Sequence, residues 1–229
     1  DFSAKYTTAS LVTYDAVSYN GIVKGNQMSF GKAIVPSYSF DKAEIIVSFA
    51  ADFLGNWISP IEFANQYGTG RKLRNGKRTM SRHIQVESSL SLTGSNADNR
   101  FKVKPSELSA AVATLYNKVA ALAGGSSVSA SANAFDKAAD SVAKELWAAK
   151  GKALVVSGSN DPNEQVLVNA INNMLGSYGN TISLDSACNL RSSNDGAVAE
   201  LMQAMNAGQV GAAIFWNSNP VYSMPSMAD

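Results

Sequence analysis

Three short apolar runs, each closed by a polar turn, constrain this chain more than any other feature. They are Ile45-Ile46-Val47-Ser48-Phe49 before Ala50-Ala51-Asp52, Ala153-Leu154-Val155-Val156 before Ser157-Gly158-Ser159-Asn160-Asp161, and Ala212-Ala213-Ile214-Phe215 before Asn217-Ser218-Asn219-Pro220. A strand with no polar alternation must be covered on both faces, which is the situation inside a parallel sheet layered by helices. The shortness of the runs and their flanking turn residues favour strand over buried helix.

Helical signals fall between the runs. After the second, Asp161 suits an N-cap, Pro162 the first helical position, Glu164 the acid of a capping box, and Gly176 a stop. Leu167, Ile171, Met174 and Leu175 then share one face. Pro105 and Glu107 open a second helix with Leu108, Val112, Leu115, Val119 and Leu122 in one stripe, and residues 135–150 make a third with Ala138, Val142 and Leu146. The alternation predicts an α/β architecture of largely parallel sheets flanked by helices. Between the second and third helices, residues 123–132 are small and rich in Gly and Ser, as in a linker. A boundary near residue 125 is therefore expected, with one α/β lobe over 1–125 and another over 126–229.

With 229 residues, 45% of them apolar and 16% charged, the chain can bury a substantial core. Its formal charge of +1 gives no overall field that would attract nucleic acid. One cysteine, Cys188, excludes an internal disulfide and a cysteine-rich iron-sulfur or zinc site, and one histidine, His83, excludes a multi-histidine metal site. The opening Asp1-Phe2 without Met and the closing Met227-Ala228-Asp229 read as a fragment of a longer polypeptide.

In open parallel sheets ligands collect at the carboxyl ends of strands, so the three polar turns are the first candidates for a site. Their Gly, Ser, Asn and Asp residues suit either a bound nucleotide or pterin, or the plainer work of turning the chain and capping helices. None completes a Gly-x-Gly-x-x-Gly or phosphate-loop pattern. Arg71, Lys72, Arg74, Lys77, Arg78 and Arg82 form a basic segment free of Asp and Glu, beside Gly68, Gly70 and Gly76. It fits docking of an acidic partner or a phosphate, or an ordinary solvated loop.

His83 lies in Arg82-His83-Ile84-Gln85-Val86-Glu87, whose alternation predicts a strand with His83, Gln85 and Glu87 on one face. That is the placement of a proton carrier or of a structural histidine, and no second catalytic partner accompanies it. Cys188, within Ser186-Ala187-Cys188-Asn189-Leu190, reads as a small buried or half-buried residue. No Gly-x-Ser-x-Gly or His-Glu-x-x-His motif occurs. No catalytic, cofactor-binding or metal-ligating residue is assigned.

The order of features across residues 43–122 adds a resemblance. Ser48-Phe49-Ala50-Ala51-Asp52-Phe53-Leu54-Gly55-Asn56-Trp57, then Met80-Ser81-Arg82-His83 through Glu87, then Leu92-Thr93-Gly94-Ser95-Asn96-Ala97-Asp98, and finally Asn219-Pro220-Val221-Tyr222-Ser223-Met224-Pro225 follow one another. Together they resemble the molybdopterin oxidoreductase superfamily, most closely the molybdopterin-like iron-sulfur subunits of alternative complex III, a quinol:cytochrome c oxidoreductase. In active members of the superfamily the first strand ends in a Gly-x-Asn-Pro-like turn near the pterin; here Ala50-Ala51-Asp52-Phe53 stands there. Pro105-Ser106-Glu107 replaces a Pro-Gly-Thr-Asp-like turn, whereas Asn219-Pro220 keeps the inherited pair.

The resemblance implies the fold without the molybdenum cofactor, with iron-sulfur clusters held in another region of the parent chain. It implies a scaffold within the peripheral subunit of a membrane-bound respiratory complex. Its partners would be other subunits, including haem-bearing ones, on the periplasmic side of a bacterial inner membrane. The parent would pass electrons from quinol towards haem and a cytochrome c or terminal oxidase. Two alternatives stand beside it: a fragment of an active molybdopterin-dependent oxidoreductase whose metal ligand lies elsewhere, and a stand-alone α/β binding domain.

Overall fold

Ile45–Phe49 and Ala153–Ser157 lie side by side as parallel strands, with every residue of both buried. The structure is a computed structural model and describes residues 2–73, 76, 78–191 and 193–224. In chain order its elements are α1 (Phe2–Lys5), α2 (Asn20–Phe30), β1 (Pro36–Tyr38), β2 (Ile45–Phe49), α3 (Pro60–Arg71), β3 (Arg82–Glu87), α4 (Leu92–Ser95) and β4 (Asn99–Lys102). A single 3-10 turn at Pro105–Glu107 leads into α5 (Leu108–Ala123), α6 (Asp136–Ala148), β5 (Ala153–Ser157), α7 (Pro162–Met174), β6 (Ile182–Ala187), α8 (Asp195–Asn206) and α9 (Pro220–Ser223).

The main sheet has the order β4-β3-β2-β5 and is parallel throughout, with Val47 level with Ile84 on one side and Val155 on the other. The architecture is α/β, as the strand-turn-helix pattern predicts. Alternate residues of β2 separate its two faces. Ile45, Val47 and Phe49 join Ile84, Val86, Val155 and the stripes of α5, α6 and α7 in the principal core. The α5 stripe is Val112, Leu115 and Val119, all buried, and its outermost member Leu122 is exposed. On the opposite face α3 packs Phe63 and Tyr67 among Phe40, Phe53 and Trp57. Pro36–Tyr38 and Ile182–Ala187 make a separate two-stranded antiparallel pair.

The outer edge of β5 is closed by side chains. Asn172 of α7 accepts from the Val155 N–H (3.0 Å) and donates to the Val155 carbonyl (2.7 Å), as a neighbouring strand would. Ser177 and Thr181 donate to the Ala153 carbonyl at 2.9 and 2.7 Å, and Gln165 donates to the Ser157 carbonyl at 3.1 Å. Buried backbone groups need such partners, and an edge so satisfied offers no template for further pairing. An Asn172→Ala substitution orphans both Val155 groups, so urea unfolding is expected to show a loss of about 2 kcal/mol at an unchanged slope.

The Gly/Ser-rich stretch does not separate two lobes, which corrects the boundary expected near residue 125. Gly124, at φ 74°, ends α5, and an exposed segment without regular structure follows. The helices on either side, α5 and α6, pack into the same core, and β5 joins the same sheet as β2. Loop composition reports local chain freedom, whereas the apolar stripes of the flanking helices decide which sheet they cover. The chain divides instead into Gly21–Leu190 and a second compact unit made from Asp1–Asn20 and Arg191–Asp229.

In that second unit, Asn194 caps α8 through the Ala197 N–H (3.1 Å), and Ser18 donates to the Asp195 carboxylate at 2.7 and 2.8 Å. Asn219 caps the short α9 through the Tyr222 N–H at 3.2 Å, so the Asn-Pro pair starts a helical turn. The third apolar run is not a strand, contrary to expectation. Residues 212–216 have no regular structure, and Ile214 and Trp216 are 76% and 87% exposed. A strand needs a neighbour for its N–H and C=O groups, and none is paired with this run among the described residues. Pro225 lies outside the described residues. Among the described residues no helix is long and apolar enough to cross a membrane.

Candidate functional site

From β2 the chain goes to β3 on one side and later to β5 on the other, so the topological switch point lies between β2 and β5. The crevice beyond the carboxyl ends of those strands is where an open parallel sheet collects ligands. Here the turns after the two strands touch through their backbones while Ala50, Gly158 and Asn160 stay exposed. Ala50 takes a left-handed conformation (φ 50°) and donates its N–H to the Val86 carbonyl at 2.8 Å, while Ser48 Oγ donates to the Ala51 carbonyl at 3.0 Å. Gly158 donates its N–H to the Phe49 carbonyl at 2.8 Å and lies flat against this turn. A Cβ on Gly158 would stand 2.5 Å from the Ala50 carbonyl oxygen and 2.9 Å from its carbon.

The rest of the second turn is consumed in the same way. Asn160 Oδ1 accepts from the Gly21 N–H of α2 at 2.6 Å, and Gly21 packs so closely that any Cβ there would strike the Asn160 backbone. Asp161 caps α7 by accepting from the Asn163 N–H at 2.9 Å, as its position predicts. Glu164 does not complete a capping box. It turns inward, 3% exposed, and accepts from Ser157 Oγ (2.6 Å) and Ser109 Oγ (2.7 Å), which brings α5, β5 and α7 together. The two turns therefore meet backbone to backbone at Gly158 and Ala50, with no room for a side chain between them.

The turn after β2 is tied down too. Asp52 Oδ1 accepts from the Thr93 N–H (3.0 Å) and Oγ1–H (2.7 Å), and Thr93 Oγ1 accepts from the Leu54 N–H at 2.9 Å.

A buried polar line runs along the other face of β3. His83, Gln85 and Glu87 share a face, as their alternation predicts, and are 0%, 0% and 3% exposed. His83 Nδ1 is 3.1 Å from Tyr67 Oη, and Tyr67 Oη is 3.0 Å from the Asn96 carbonyl. His83 Nε2 is 3.3 Å from Gln85 Oε1, and Gln85 Nε2 donates to Glu87 Oε2 at 3.1 Å. Glu87 also accepts from Arg100 Nε at 2.6 Å and from Ser91 through its hydroxyl (2.6 Å) and N–H (3.2 Å).

Burial dominates the electrostatics of this line. It pushes His83 down to about 4, against hydrogen bonding from Gln85, and raises the Tyr67 phenol to about 12. For Glu87 burial acts upward, but hydrogen bonds from Arg100, Ser91 and Gln85 together hold it below the usual carboxylate range. Both ends therefore keep their charge state fixed at neutral pH, and the sheltered imidazole between them is uncharged.

Two cations of the basic segment turn back into the fold. Arg71 holds Asp98 with two parallel bonds of 2.7 and 2.8 Å and reaches the Ser81 carbonyl at 2.6 Å, which lowers the Asp98 carboxyl. Arg82 pairs with Glu145 at 3.1 Å and donates to Asn99. Lys72 and Arg78 are exposed, and Arg74 and Lys77 lie outside the described residues.

Cys188 is a free, half-buried thiol whose backbone N–H donates to the Val35 carbonyl at 2.9 Å. Among the described residues no group of three or more His, Cys, Asp and Glu side chains is arranged to hold a metal ion.

Sequence reasoning did not find Tyr67, Asp98 or Arg100, because each meets the line through tertiary contact, nor Ser91, which bonds Glu87 locally from four residues along the chain. One signal was available for Gly158: a glycine directly after a buried strand marks a close backbone approach. No family model matches the chain, and no curated protein matches it.

Proposed function

We propose that this chain is a scaffold part of the peripheral subunit of a respiratory quinol:cytochrome c oxidoreductase, in which electron transfer belongs to the parent complex. The observation that carries the reading is the direct backbone contact between the turns after β2 and β5. At the most ligand-prone place in a parallel sheet, Gly158 lies against Ala50 and Asn160 against Gly21, so the turns are committed to one another. The ordered resemblance from residue 48 to residue 98 supports the family, and the altered Ala50-Ala51-Asp52-Phe53 turn supports the loss of the pterin within it.

On this reading iron-sulfur clusters sit elsewhere in the parent chain. The contacts made by this part hold haem-bearing subunits on the periplasmic side of the membrane. The test is isolation of the intact parent protein from its native membranes by an affinity tag. Co-purification of haem-bearing subunits with quinol-dependent reduction of cytochrome c is the expected result. Recovery of the protein without haem subunits and without quinol oxidation contradicts the proposal.

A further inference from the structure

The line through His83 has one hydrogen too few. Glu87 accepts from Arg100 and Ser91 as a carboxylate, so it is the amide nitrogen of Gln85 that faces it and the amide oxygen that faces His83. His83 Nε2 must then carry a hydrogen, which in a neutral imidazole leaves Nδ1 bare. Tyr67 Oη lies within hydrogen-bond distance of both Nδ1 (3.1 Å) and the Asn96 carbonyl (3.0 Å), yet its one hydrogen serves only one of them. With neutral His83 the Tyr67 hydroxyl has two acceptors in reach, the bare Nδ1 and the Asn96 carbonyl, and one of them goes without a hydrogen. If Nδ1 gains a proton, it donates to the Tyr67 oxygen, the hydroxyl swings to Asn96, and every link is filled.

We infer that the Tyr67-His83-Gln85-Glu87 line is a proton-operated tether, in which uptake of one proton at His83 Nδ1 commits the Tyr67 hydroxyl to the Asn96 carbonyl. The switch binds α3 to the turn that ends α4 while keeping it bound to β3. The surroundings set its direction. From α3, Tyr67 is neutral and Arg71 disfavours a second positive charge. From β3, Glu87 favours that charge through Gln85. From the segment before β4, Asp98 favours it while accepting the His83 N–H at 2.7 Å, and Arg100 of β4 is neutralised by Glu87. The ring of Phe53, 5.3 Å away, seals the remaining side and carries no charge.

The single histidine makes the test direct. In the chain labelled with ¹⁵N-histidine, the ring nitrogens are followed from pH 8 to pH 3 by long-range ¹H–¹⁵N spectra. The neutral ring is expected as the Nε2–H tautomer, with a midpoint well below the free-histidine value and native amide dispersion kept through the titration. Tyr67→Phe removes the acceptor for the added proton, so its midpoint falls further, by about one pH unit, a tenfold loss of proton affinity. An Nδ1–H neutral tautomer in the unsubstituted chain overturns the tether, and that reading does not depend on the variant folding. So does a Tyr67→Phe midpoint equal to the parent value, or collapse of the native spectrum in the same step as protonation.

Discussion

Gly158→Val is expected to leave the chain unfolded, and Gly158→Ala to lose roughly 3 kcal/mol or more in chemical denaturation, because the added Cβ meets backbone that has nowhere to move. The nearest atoms are the Ala50 carbonyl oxygen at 2.5 Å, its carbon at 2.9 Å and the Ala51 Cα at 3.1 Å. All three belong to the turn that β2 and β3 jointly hold. A clash with a flexible side-chain tip would relax cheaply, but this one forces β5 away from β2 or the turn away from β3. Gly125→Ala is the control. Its nearest neighbour would be 3.6 Å away, an ordinary contact, so its midpoint is expected to stay within about 0.5 kcal/mol of the parent. A Gly158→Ala variant as stable as the control would show that the two turns part without cost.

The second large effect is on acid stability. Burial lowers His83 from 6.5 to about 4 in the folded chain, so between those values the unfolded chain binds the extra proton. Stability is therefore complete above the unfolded value, falls as pH drops from about 6.5 towards 4, and stops falling through this group below the folded value. The loss from this one residue is about 3 kcal/mol. Equilibrium unfolding measured across that window is expected to show the slope, and His83→Gln to flatten its upper half, where carboxylates do not yet titrate. Glu87 and Asp98, both held low, add a further loss at the acid end as they are protonated. A parent and a His83→Gln variant with the same pH dependence between 6.5 and 5 would contradict the buried, neutral imidazole.

Local signals carried what the sequence could say about this fold. The β2 and β5 runs need no distant partner to be recognised as strands covered on both faces, and Asp161-Pro162 marks the start of α7 by chemistry within one turn. The common face of His83, Gln85 and Glu87 follows from the period of a strand. Where the reading went astray, the deciding partner was distant. Residues 212–215 have the composition of a buried strand, but pairing is a property of two segments and composition describes one. The polar Asn99-Arg100-Phe101-Lys102 gives no apolar run, yet it forms β4 because β3 offers it an edge. Glu164 sits where a capping box would use it, and Ser157 and Ser109 outbid the cap from other elements.

The candidate site divides the same way. Its axis was legible, but its ends were not, since Tyr67 arrives from α3 and Arg100 from β4. The basic segment looked uniform as a sequence because Asp98 and Glu145, which claim two of its arginines, lie 27 and 63 residues from them.

The most direct test of the scaffold reading is the molybdenum, pterin and iron content, per chain, of the intact parent protein purified from its native source. The account predicts iron with co-purifying haem subunits and neither molybdenum nor pterin in stoichiometric amount. One molybdenum and its pterin per chain would contradict it and restore the alternative of an active molybdopterin-dependent oxidoreductase.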